Sequence, residues 1–258
     1  MTDFGYQPPV SSFLSRGPAS KFSNWPNYVS LGFSREHVAE LIRMATDKHL
    51  NSAGSDSAEV WAPMHAWRTL GQLRAAEAVE PLLALLADSD DDWLHEELPT
   101  VIGKIGPVAV EAAKRYLADE DCDEYTRATA AAGLVQVARE HPETCDECAG
   151  VITEELGRAL RRNQALNGLL VCHLLDLEAK ESLSVIETAF RRQQIDNTLV
   201  TWEHVKQEFG SNTSSELPAG RFDIFAPLAP QKSQDDKRKK KQKRKASAES
   251  RKLARRRK

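Results

Sequence analysis

The chain has 258 residues, 41% of them hydrophobic, with 35 Lys plus Arg against 38 Asp plus Glu and a formal charge of −3. That is enough apolar material for one core or one extended array, so the chain as a whole is not disordered. No window approaches about 18 consecutive apolar residues, which excludes a transmembrane helix and membrane insertion.

Met1–Ser20 contains Asp3 and three prolines but no apolar stretch, so no signal peptide is expected and a cytoplasmic location follows. Four cysteines in a chain of this length do not make a disulfide framework, and reduced thiols are expected. The charge is strongly segregated. Lys232–Lys258 holds 15 basic and 3 acidic residues, a net of +12, which leaves the body with 20 basic and 35 acidic residues, a net of −15.

In chain order, residues 1–33 read as an irregular segment, because Pro8, Pro9, Pro18 and Pro26 interrupt any periodic pattern. Ser34–Leu50 reads as one helix, with Ser34 as N-cap and Val38, Leu41, Ile42 and Ala45 on one face. A repeat then governs the sequence. Trp61, Trp93 and Tyr125 are spaced by 32 residues, as are Leu70, Ile102 and Leu134, and Leu73, Ile105 and Val137. Gly71 and Gly103 share the same spacing. A fourth unit aligns Leu174 with Leu134 and Leu177 with Val137 if eight extra residues are placed near His141–Cys148, where Pro142 marks a connection.

Each unit reads as two helices. Ala62–Gln72 and Val79–Ala87 form the first pair. Leu98, Val101, Ile102 and Ile105, followed by Val108, Ala112 and Leu117, form the second. Pro81 and Pro107 lie near the starts of second helices, where a missing N–H is tolerated. Neither helix of a pair can bury its apolar face alone, so stacking into an all-α solenoid over residues 34–209 is expected. Leu183, Ile186 and Phe190 continue the pattern, and Leu199–Phe209 predicts a terminal helix. Residues 210–231 read as a linker and residues 232–258 as a disordered tail.

The runs Leu70-Gly71-Gln72-Leu73-Arg74, Ile102-Gly103-Lys104-Ile105-Gly106 and Arg127 to Leu134 resemble HEAT-like repeats of the type named after phycobilisome lyases. The resemblance covers about Ser34–Glu208 and is clearest over Trp61–Ala138. It implies a right-handed stack of antiparallel helix pairs whose second helices line a concave surface. It does not imply bilin chemistry, because the repeat serves many unrelated proteins. Trp67, Leu70 and Gly71 also match the opening of a tetratricopeptide unit, but Arg74 stands where Tyr is expected.

The densest charge lies in the tail: Lys237, Arg238, Lys239, Lys240, Lys241, Lys243, Arg244 and Lys245, then Arg255, Arg256, Arg257 and Lys258. Such a run attracts polyanions through counterion release, without reading sequence. It has no aromatic residue for base stacking. RNA or DNA is therefore one expected partner, and a purely solubilising tail is the plainer reading. A second candidate is an acidic edge, with Asp88, Asp90, Asp91 and Asp92 one repeat before Glu120, Asp123 and Glu124. It suits a basic partner, a divalent cation or the chain's own tail, whereas helix capping explains the same residues more simply.

His141, Cys145 and Cys148 invite a zinc hypothesis, but a closed site needs four ligands and no second Cys-x-x-Cys exists. Trp61, Trp67 and Trp93, with His65 and His95, resemble the tryptophan-lined face of HEAT-like DNA glycosylases. Their repeat positions are equally those of packing residues. No nucleophile motif or phosphate-cradling glycine loop is present. The expectation is a monomeric, non-catalytic scaffold or adaptor, without metal or cofactor, that holds a protein partner. The alternatives are a self-regulated binder whose tail docks on the acidic edge, and a HEAT-like chromophore lyase or glycosylase.

Overall fold

A computed structural model describes residues 4–19, 25–54, 56–88, 92–158 and 163–210, all within the first of the two units into which the chain divides, Met1–Phe222. The tail and most of the linker lie outside the described residues. Among those described, every regular element is helical, and no helix is long and apolar enough to cross a membrane.

The expected single helix over Ser34–Leu50 is two helices, α1 (Val38–Ala45) and α2 (Lys48–Asn51), preceded by a 3-10 turn at Arg35–His37. Asp47 causes the break. Its backbone is extended, and its carboxylate accepts the amides of His49 and Leu50 at 2.9 and 3.3 Å, which starts a new helix.

Four helix pairs follow among the described residues. Their first members are α3 (Ala62–Gln72), α5 (Asp92–Ile105), α7 (Glu124–Glu140) and α9 (Gln164–Asp176). Their second members are α4 (Val79–Asp88), α6 (Val110–Ala118), α8 (Cys145–Arg158) and α10 (Leu183–Arg191), and α11 (Trp202–Gly210) closes the series. Each second helix is preceded by a 3-10 turn, and Pro107 and Pro142 open two of these turns, where they forfeit no helical hydrogen bond. The eight extra residues are not a loop insertion at His141–Cys148. They lengthen helices: α7 has 17 residues against 14 in α5, and α8 has 14 against 9 in α6.

First helices pack against first helices, α3 on α5, α5 on α7 and α7 on α9, while α4, α6, α8 and α10 pack in the same order. The repeated glycines sit at the first-helix crossings. A Cβ on Gly71 would lie 3.4 Å from Val101 of the next helix, and one on Gly103 would lie only 2.7 Å from Gln136 Cβ. Leu70, Ile102, Leu134 and Leu174 occupy the shared core beneath these crossings, each at most 1% exposed.

The second helices are joined instead by surface ion pairs, Arg115 with Glu80 and Lys114 with Glu154. Pairs of this kind each contribute about 1 kcal/mol or less. The turns after α3 and α9 place Arg74 and Glu178 in the left-handed region, at φ 51° and 53°. There the following amides of Ala75 and Ala179 reach back to the Leu70 and Leu174 carbonyls. The equivalent residue after α5, Gly106, takes a different positive-φ conformation, φ 97° and ψ −158°, that glycine alone adopts readily, and Pro107 after it has no amide to reach back.

The N-terminal segment has no α-helix among its described residues, yet it belongs to the core. Tyr6, Val10, Phe13, Tyr28 and Phe33 are all buried. The Phe13 ring stacks on Phe33 at 4.5 Å and meets Tyr28 edge-on at 5.6 Å. Proline-rich sequence here gives a non-periodic chain that packs by its aromatic rings rather than by a helical stripe.

Candidate interaction surface

Two sets of chemically distinctive residues emerge, one sealed inside and one on the surface. The internal set lies on α3 and α5 beneath the N-terminal segment. Arg68 and Glu97 form a doubly hydrogen-bonded ion pair that is 0% and 1% exposed, with Arg68 Nε donating to Glu97 Oε2 at 2.6 Å. The indole N–H of Trp67 donates to the same carboxylate at 3.4 Å, and the Trp25 ring lies over the Arg68 guanidinium at 5.2 Å. One turn before Arg68, His65 uses both ring nitrogens. Nδ1 is 2.7 Å from the Tyr28 hydroxyl and Nε2 is 3.1 Å from the Gly17 carbonyl.

A carbonyl only accepts, so Nε2 carries the proton, and the Tyr28 hydroxyl donates to Nδ1. Burial pushes the His65 pKa down to about 4; the Gly17 carbonyl partly offsets this, and the charges of Arg16 and Arg68 add to it. Burial likewise raises the Tyr28 phenol above its ordinary value. Gln72 completes the attachment of the segment, accepting the Tyr28 amide and donating to the Pro26 carbonyl, both at 2.8 Å.

His65, Trp67, Arg68, Gln72 and Glu97 all have partners in this network, whereas the buried indole N–H of Trp25 completes no hydrogen bond, and His65 and Trp67 are 1% and 2% exposed. Of the rings that the base-excision alternative draws on, His65 and Trp67 are packed inside, whereas Trp93 lies at the surface. Sequence reading missed Arg68, Glu97, Tyr28 and Trp25 as a group. A signal existed: His65, Glu97 and Thr129 recur at a spacing of 32, a polar residue at one repeat position of a core-facing helix.

The surface set follows the starts of the first helices. Trp61 precedes α3, Trp93 is the second residue of α5 and Tyr125 the second of α7. Trp61 and Trp93 meet edge to face at 6.1 Å. Exposure rises along the row, to 39% for Trp93 and 64% for Tyr125. Behind the row, His95 Nδ1 lies 2.9 Å from the Thr129 hydroxyl, which itself donates to the Tyr125 carbonyl, so His95 is the donor and ties α5 to α7.

Of the expected acidic edge, Glu120, Asp123 and Glu124 lie where α6 passes into α7. Asp90 and Asp91 lie outside the described residues, as do the side chains of Asp88 and Asp92. Asp123 is the N-cap of α7, accepting the amides of Tyr125 and Thr126 at 2.9 and 3.1 Å and the Thr126 hydroxyl at 2.7 Å. Burial alone would raise its pKa, but these hydrogen bonds hold the carboxyl below its ordinary range. Asp119 accepts the Asp121 amide at 3.0 Å. Capping and turn formation therefore account for two acids of the loop. They leave Glu120, Asp121 and Glu124, which form no ion pair among the described residues.

His141, Cys145 and Cys148 do not assemble. Among the described residues no three His, Cys, Asp or Glu side chains are arranged to hold a metal ion. His141 faces Glu143 at 3.6 Å. Cys148 is buried in α8, where burial pushes its thiol up to about 11. All four cysteines are free.

The basic residues Lys237, Arg238, Lys239, Lys240, Lys241, Lys243, Arg244, Lys245, Arg255, Arg256, Arg257 and Lys258 lie outside the described residues. Residues 63–221, more than half of the chain, match one family, described as proteins of unknown function (DUF1186). The match begins inside α3 and stops short of the basic tail. No curated protein and no solved structure matches the chain.

Proposed function

Because the chain belongs to the DUF1186 family, which carries no assigned activity, we propose its function from its own residues: a non-catalytic scaffold or adaptor. Its body is a HEAT-like α-solenoid that holds a protein partner, and its tail, Lys232–Lys258, tethers the assembly to RNA, DNA or another polyanion in the cytoplasm. The observation that carries this reading is the order of helix contacts, first helix to first helix and second to second along four pairs. Such an order produces long side-by-side surfaces rather than one enclosed pocket. Support also comes from strongly shifted titratable groups: His65, His173 and Cys172 are buried within the helical body.

The tail and the body are separable in experiment. Polyanion binding measured across a salt series should lose most of its affinity and its salt slope when Lys232–Lys258 is deleted. An unchanged slope refutes the tethering role. Affinity capture with full-length and tail-deleted protein then sorts partners of the body from partners of the tail, and a body that retains no protein in either form refutes the adaptor role.

A further inference from the structure

We propose that the exposed aromatic edge at the starts of α5 and α7 is a docking surface for a Lys/Arg-rich, extended segment of a partner protein. This rests on the adaptor reading and specifies what the adaptor holds. The starting point is exposed aromatic surface. Tyr125 is 64% exposed, and Trp93 is 39% exposed even with Trp61 packed edge-on against it, whereas Trp67 is sealed at 2%. Rings left in solvent at equivalent positions of adjacent repeats form a row rather than scattered single residues.

The chemistry around the row selects the occupant. Glu120, Asp121 and Glu124 stand in the loop that leads into Tyr125 and form no ion pair among the described residues, in a body whose net charge is −15. Such carboxylates repel nucleic acid. An apolar peptide would also leave them desolvated without compensation. A guanidinium or ammonium group satisfies both features at once, lying over a ring face and pairing with a carboxylate.

Geometry adds a spacing rule. Adjacent packed helices lie roughly 8–10 Å apart, so equivalent rings on α5 and α7 are separated by about the span of three residues of extended chain. The preferred ligand therefore carries basic residues three apart.

The test uses the full-length protein and a labelled peptide of four Arg-Gly-Gly units, followed by fluorescence anisotropy at about 0.15 M salt. Tyr125→Ala should weaken binding about fivefold, the effect of removing one exposed cation–π contact. The double variant Glu120→Gln, Glu124→Gln should weaken it by a similar factor, while Glu203→Gln on α11 should leave it unchanged. All three sites are on the surface, so thermal midpoints should match the parent, which separates lost contacts from lost folding.

Equal affinity of all variants for the peptide overturns the proposal, as does affinity that is identical for a peptide of adjacent arginines of the same charge. If the peptide fails while affinity capture still retrieves a protein through the body, the docking surface is wrong and the adaptor reading stands. If both fail, both are wrong.

Discussion

His65 on α3 and His173 on α9 are both almost fully buried, and burial pushes each pKa down to about 4. Their surroundings differ completely. His65 has a partner on each ring nitrogen, both supplied by the N-terminal segment. Neither nitrogen of His173 completes a hydrogen bond, although the Ala128 backbone offsets part of its burial penalty. Buried polar groups need partners, and where no neighbouring repeat helix supplies one, as at His65, a non-repeating segment can. The N-terminal segment does this at one end of the series, and nothing equivalent serves His173 at the other.

The largest effect is expected at the end that the segment seals. Arg68→Ala leaves Glu97 buried without its charge partner and should cost about 3–5 kcal/mol in denaturant unfolding. Replacing both partners by apolar residues of similar volume should cost less than either single change. A single-variant cost below about 1 kcal/mol would show that water reaches the pair, and the contrast between sealed and unsealed ends would fail.

The histidines themselves give the sharpest contrast, because the same substitution should act with opposite signs. His65→Leu strands the Tyr28 hydroxyl and the Gly17 carbonyl and should destabilise by about 2–3 kcal/mol. His173→Leu breaks no hydrogen bond and should be neutral or stabilising by about 1 kcal/mol at pH 7. Acid enlarges the second effect. Both folded pKa values lie below the ordinary 6.5, so the unfolded chain takes up protons first as pH falls. Parent stability should drop between about pH 6.5 and 4, and each leucine variant should be spared its own share of that loss. A pH series of urea midpoints reads all of this, and a destabilised His173→Leu would mean that its ring is held after all.

Asp176, on the same helix as His173, titrates with the reverse sign. Burial raises its pKa to about 6, with Arg139, 3.6 Å away, opposing the shift. A raised folded pKa gives stability that is fully present below the ordinary value of 3.8 and lost as pH rises through about 6. Asp176→Asn should therefore stabilise by about 2 kcal/mol at pH 7 and by nothing at pH 3. A gain that persists at pH 3 would point to packing rather than ionisation.

The same division explains what could be read from the sequence. Leu70, Ile102, Leu134 and Leu174 announce the helices because each repeats a role, and α3 occupies the predicted residues Ala62–Gln72. Tyr28, Phe13 and Trp25 repeat nothing. The burial of Tyr28 and Phe13 depends on contacts with α3 some forty to fifty residues away, which no local pattern encodes. Asp47 was ambiguous for a different reason, since an aspartate inside an apolar stripe reads as a surface residue until its backbone turns. On the surface, the acidic edge was visible in composition. Its division into capping acids and unpaired acids requires the hydrogen bonds of Asp119 and Asp123.

The smallest effect concerns Gly71 and Gly103, whose common spacing marks them as one motif although their surroundings differ. Within a helix, Gly→Ala alone should stabilise by about 0.5–1 kcal/mol. At Gly71 the new methyl group would meet Val101 at 3.4 Å, an ordinary contact, so this gain should be seen. At Gly103 it would come within 2.7 Å of Gln136 Cβ and 2.9 Å of its backbone, which only separation of α5 from α7 can relieve. Overpacking of that kind costs about 1–3 kcal/mol, so Gly103→Ala should be destabilising by about 1 kcal/mol after the helix gain is subtracted. Thermal unfolding of the two variants compares the crossings directly. Equal gains at both positions would mean that α5 and α7 cross no more tightly than α3 and α5.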